Sequence, residues 1–182
     1  MNSLALVLRL YVPEAVKKRH LAALFDATAS AIGVATPSLR GLSFEEILSA
    51  YARFTKLELG KRIQLGQDLE RIRTKLYAHT YQLGDDLRRR LRLKTIHDVL
   101  TMGRVLYRTI GIDFEGNPNG EITIRSCYFS EFYTPEVCRV ISALDEGIAS
   151  GLSGGGDFSF SHRITEGNSC CTATLTLKGL QE

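Results

Sequence analysis

An α+β fold is what this sequence predicts: N-terminal helices packed on a mainly antiparallel four-stranded sheet, built as hairpin, helix, hairpin. Three observations predict it. Up to about residue 110 the apolar residues recur at helical spacings. From Gly111 onward the period falls to two in two pairs of runs, each folded about a turn signal. One helical stretch, opened by Thr134-Pro135-Glu136, separates the two pairs. Two strand pairs need cover on one face, and a single crossing helix is too small, so the N-terminal helices must supply it.

The elements follow in order. Pro13 to about Ile32 reads as a helix with Leu21, Leu24, Phe25, Ala29 and Ile32 on one side, and 33–41 (GVATPSLRG) as a connector. Ser43 with Glu46 is a capping box for a helix that buries Phe44, Ile47, Leu48, Tyr51 and Phe54, with Gly60 and Gly66 as candidate breaks. Leu69, Ile72, Leu76, Leu83, Leu87 and Leu91 mark a long third helix, and Thr95 with Asp98 caps a fourth through Ile110. Gly111 to Glu115 is a short strand, 116–120 (GNPNG) a turn, and Glu121 to Cys127 its return.

The fifth helix carries Val137, Val140, Ile141, Leu144 and Ile148 and ends in the glycine run 151–156. Cys138 and Asp145 lie seven apart, which places both on a face shared with Ile141. In the last hairpin Phe158, Phe160, His162 and Ile164 share one parity, and Ser159, Ser161 and Arg163 the other. A loop centred on Glu166-Gly167 sets His162 opposite Cys171 and Phe160 opposite Ala173.

The chain has 182 residues, which favours one domain: a mainly helical half, 1–110, and a sheet-bearing half, 111–182, with the candidate site. A hydrophobic content of 44% and a charged content of 24% are ordinary for a globular protein, and a net charge of +3 gives no argument for nucleic acid. Met1 to Tyr11 is apolar but too short to span a bilayer, and it lacks the features of a signal peptide. Four cysteines without paired spacing fit a reduced, cytoplasmic protein.

The chemistry-bearing residues gather after Ile124. Cys127, Cys138, His162 and Cys171 are the right set for tetrahedral zinc, although none sits at the short C-x-x-C spacing; the plainer reading is core thiols. His162 beside Cys171, with Cys138 on the covering helix, suits nucleophilic chemistry in an apolar pocket, against a histidine that simply bonds backbone. Arg125 and Arg163 could clamp a carboxylate, or only decorate a solvated strand face. The glycine run 151–156 follows a helix and precedes a strand, the reverse of the phosphate-loop order, which excludes nucleotide binding there. The basic run 88–94 sits at a helix end, where the helix dipole favours cations, and has no aromatic interleaving.

Cys127-Tyr128, Glu136-Val137-Cys138, Asp145, 163–167 (RITEG) and Cys171 together resemble the L-2-amino-thiazoline-4-carboxylic acid hydrolase-like family. The likeness covers about Thr95 to Leu177 and extends to the helical half in general layout, as in 48–55 (LSAYARFT). The order cysteine, helix, Gly-Leu, strands and Gly-x-x-x-Cys also resembles the 4-vinyl-reductase-type domain, a small-molecule-binding module.

The first resemblance implies a hydrolase of a small carboxylated C=N or amide compound, by the reaction that opens 2-aminothiazoline-4-carboxylate to N-carbamoylcysteine. Cys138 or Cys171 would then be nucleophile or metal ligand, with Cys127 a third ligand should zinc be the cofactor. His162 would be the acid/base, Asp145 would orient a water or the histidine, and Arg163 or Arg125 would hold the carboxylate. The second implies a non-catalytic sensor with the same pocket. A helical scaffold that forms a homodimer through its N-terminal half is the third reading. A small-molecule ligand is expected as partner, with neither nucleic acid nor membrane.

Overall fold

The computed structural model describes residues 11–177, so the expectation for Met1 to Leu10 lies outside the described residues. The order is α1 (Glu14–Ile32), α2 (Phe44–Gln64), α3 (Leu69–Leu91), α4 (Ile96–Thr109), β1 (Ile112–Gly116), β2 (Glu121–Cys127), α5 (Pro135–Ile141), α6 (Ala143–Ser153), β3 (Phe158–His162) and β4 (Cys171–Leu175). Short 3-10 turns lie at Tyr128–Glu131 and Ile164–Glu166. The four strands pair antiparallel in the order β1-β2-β4-β3, the α+β arrangement expected.

Local chemistry fixes the helix ends. Ser43 Oγ accepts from Glu46 N–H at 3.2 Å while Glu46 Oε2 accepts from Ser43 N–H at 2.7 Å. Thr95 and Asp98 do the same for α4, at 3.2 Å in each direction. Such reciprocal bonds satisfy N–H groups that the helix leaves without partners. α2 runs through Gly60 and stops at Leu65, just before Gly66 turns the backbone to φ 61°.

The helix after the first hairpin is not continuous as the periodicity predicts. It breaks at Ser142 into α5 and α6. The Arg139 carbonyl accepts the Ser142 hydroxyl at 2.9 Å and also the Arg73 guanidinium. Side chains that compete for a helical carbonyl in this way interrupt the ladder.

The sheet buries Ile112, Phe114, Ile122, Ile124, Cys171, Ala173 and Leu175 on its inner face and turns Asp113, Glu115, Glu121 and Thr174 to solvent. α4 packs against β1 and α6 against β3, so one N-terminal helix and one crossover helix share the cover. The other N-terminal helices form a further layer. Within it α3 lies along α6 so closely that a Cβ at Gly84, Gly147 or Gly151 would collide with the partner helix. Glycine is what permits this approach, and it fixes α6 with Asp145 and Ile148 turned toward the space between the layers. Among the described residues no helix is long and apolar enough to cross a membrane.

Candidate functional site: an apolar cavity with one poised carboxyl

A cavity of about 100 Å³ lies where the inner face of the sheet meets the helices. Its walls are mostly apolar: Leu24, Ile112, Ile124, Phe129, Ile141 and Ile148 contribute from six different parts of the chain. The polar groups on these walls are few. Asp145 comes from the first turn of α6, Cys138 from α5, Cys127 from the end of β2, Cys171 from the start of β4, and Arg163 from the β3–β4 connection. The shared face of Cys138 and Asp145 survives the break at Ser142, and both side chains reach the cavity.

Asp145 sets the electrostatics. Its Oδ1 accepts the Tyr107 hydroxyl at 2.6 Å. Asp145 is half-buried at the cavity wall. Loss of water penalises the charged form and pushes the carboxyl up to about 7; Glu146 pushes the same way, while the Tyr107 bond and Arg163 pull it down. Tyr107 is held neutral well above the usual phenol range by burial and by the neighbouring carboxylate.

The three cavity thiols are all pushed up, chiefly by burial. Cys127 reaches about 12. Cys138 and Cys171 move in the same direction, and the Asp145 charge adds to the shift while Arg163 opposes it. Cys171 Sγ accepts the Ile164 N–H at 3.3 Å. A protonated, buried thiol is a poor nucleophile. Nor do the thiols gather into a metal centre: among the described residues no three His, Cys, Asp or Glu side chains form a group that could hold a metal ion. The zinc set expected at Cys127, Cys138, His162 and Cys171 is therefore not brought together.

His162 is the clearest departure from expectation. Phe160 does pair with Ala173, but the register shifts next, and His162 stands opposite Thr172 rather than Cys171. Ser161 is the extra residue of this bulge. Thr172 Oγ1 holds it, meeting Ser161 Oγ at 2.7 Å and His162 Nδ1 at 2.9 Å. One extra residue inverts the parity of every strand position beyond it. His162 is thus exposed on the outer face, and Arg163, expected on the polar side, turns inward to line the cavity. The connection 163–170 is also longer than the tight loop expected, with a 3-10 turn inside it. Arg125 stays outside: it is exposed and pairs with Glu115 at 2.5 Å.

Three cavity residues escape a reading of the sequence. Tyr107 and Tyr133 look like ordinary core aromatics, and His20 like a polar residue beside the apolar stripe of α1. A signal existed for His20, which lies four residues before Leu24 and so on the buried face. Burial holds its ring neutral, with the pKa lowered to about 4.

No protein-family model matches the chain, no curated protein matches it, and no solved structure matches it. The reading of the site rests on its own residues.

Proposed function

We propose that the chain is a binding module for a compact small molecule, held in the cavity between the sheet and the helices. The observation that supports it best is the makeup of the walls. An apolar enclosure with a few convergent polar groups is the usual form of a ligand site, and here the convergent pair is Asp145 with Tyr107. The thiols add polarisable surface, not reactivity. All four cysteines are free, which suits a cytoplasmic setting.

Methyl-resolved NMR tests this. A panel of probes of about four to six heavy atoms, including benzene, is titrated into the protein while the methyls of Ile124, Ile141 and Ile148 are followed. Saturable shifts at these methyls by at least one probe are expected. Methyls that no probe moves would refute the module.

A hydrolytic role is the second reading, and one observation favours it: a carboxyl poised at about 7 shares its cavity with a guanidinium. A group titrating near the working pH is suited to move protons. In that reading Asp145 is the acid/base, Arg163 holds a substrate carboxylate, and no thiol attacks. Loss of 2-aminothiazoline-4-carboxylate over time, abolished by Asp145→Asn, would support it. Binding without turnover leaves the module alone.

A further inference from the structure

An unpaired donor on the cavity says what its occupant carries, an inference that rests on the binding reading. Among the described residues four buried side-chain polar atoms lack a hydrogen-bond partner. Two of them, the Tyr133 and Thr55 hydroxyls, lie beside each other, while Arg163 Nε belongs to a residue that lines the cavity. The guanidinium N–H can only donate. A buried donor left unpaired is costly, so on an apolar cavity it points to an occupant that accepts.

The arginine is arranged for more than one bond. Its plane lies against Phe160, with Cζ 4.9 Å from the ring centroid. Nη1 is 3.8 Å from a Glu166 oxygen, and Nη2 donates to Ser142 Oγ over a long 3.3 Å. The edge formed by Nε and Nη2 therefore carries one weak bond. That edge matches the two oxygens of a carboxylate.

Size narrows the class. A cavity of about 150 Å³ admits benzene, so one of about 100 Å³ takes roughly four to six heavy atoms. We propose that the occupant is a short monocarboxylate of about that size, its oxygens on the Nε and Nη2 edge of Arg163 and its alkyl tail against the isoleucines. Below about pH 7 Asp145 is mostly neutral and does not oppose such an anion with a fixed charge.

The neighbouring groove fits the same chemistry. A groove of about 510 Å³ between α1, α3 and α4 shares His20 and Leu106 with the cavity, so these two side chains form the wall between them. Lys17 and Arg19 line that groove against Asp86. A basic groove concentrates anions, and the His20 imidazole in the dividing wall is held neutral by burial.

The probes are acetate, propionate and butyrate, set against 1-propanol, propionamide and propylamine, with cavity methyl shifts as readout. Propionate or butyrate should bind at least about tenfold more tightly than the alcohol or the amide. Arg163→Lys, which keeps the charge and loses the fork, should weaken the acids about tenfold and leave 1-propanol unchanged. Phe160→Leu, which removes the ring that the guanidinium lies against, should weaken them about threefold or more, and it serves as the test should the lysine variant fail to fold. Neutral probes that bind as tightly as the acids would overturn the carboxylate while leaving the module standing. Methyls unmoved by every probe, benzene included, would remove the module and the carboxylate together.

Discussion

His162 and Arg163 are neighbours in the chain and live in opposite environments. The imidazole lies exposed on the outer face of the sheet, bonded to the Thr172 hydroxyl. The guanidinium lies against Phe160 at the edge of the cavity, with one nitrogen unpartnered. A single extra residue, Ser161, separates these outcomes. The same division runs across the sheet. The outer face carries His162 and Arg125, which water or an exposed partner satisfies. The cavity beneath the inner face is lined by Asp145 and three thiols, whose protonation burial controls. In this fold chemical capacity follows the side of the sheet more than residue type.

The largest effect that could break this contrast belongs to Asp145. Its carboxyl sits at about 7 in the folded chain, against about 4 when unfolded. The folded state therefore holds a proton that the unfolded state has released between these values. Stability is fully present below about pH 4 and is lost as pH rises to about 7, by an order of 4 kcal/mol in all. Asp145→Asn mimics the neutral form and should lack this loss. Urea unfolding of both proteins from pH 4.5 to 8 reads the difference directly. Parallel curves would mean that the carboxyl is solvated.

Next in size is Tyr107→Phe. It deletes the 2.6 Å bond to Asp145 and leaves a carboxyl without its partner. A loss of about 1–3 kcal/mol is expected at pH 7. Because the tyrosine bond pulls the carboxyl down, the pH range of the stability loss should also move upward. A variant as stable as the parent, with an unmoved pH profile, would detach Tyr107 from Asp145.

Much of this architecture was legible in the sequence, for local reasons. Capping pairs such as Ser43 with Glu46 act over three residues, so spacing alone reveals them. Strand parity is equally local, and it placed Cys171, Ala173 and Leu175 inward. The seven-residue interval between Cys138 and Asp145 located one wall of the cavity. The bulge at Ser161 was not legible, because no glycine or proline marks it and the run FSFSH alternates without interruption. The break at Ser142 depends on Arg73, which lies far away in the sequence. Tyr107, Tyr133 and His20 meet only once α4, the segment before α5, and α1 have packed.

Thiol accessibility sharpens the contrast next. Cys170 lies outside the cavity lining, half-buried near the sheet's outer side, whereas Cys127, Cys138 and Cys171 line the interior. Brief exposure to iodoacetamide near neutral pH should label Cys170 first, by at least about tenfold over the other three. Mass-spectrometric mapping of the native protein decides the order. Early labelling at Cys138 or Cys171 would return a thiol nucleophile to consideration.

The smallest expected effect is the most pointed, because it concerns the residue that sequence spacing makes most attractive. The hydrogen bond of His162 is to the Thr172 hydroxyl, and its ring is exposed. His162→Ala should therefore change stability by less than about 0.5 kcal/mol. It should leave the alkylation rates of Cys138 and Cys171 where they were, since the imidazole faces away from both. It should equally leave the titration of Asp145 in place, as the ring is not among the groups that shift that carboxyl. Three unchanged readouts would be weak evidence singly, but the paired design gives them force. Arg163→Lys, one residue along, is expected to alter occupancy of the cavity. A His162→Ala variant that slows labelling of Cys171 would mean that the strand can slip back to the unbulged register. The division between the two faces would then be an equilibrium, not a fixed property of the sheet.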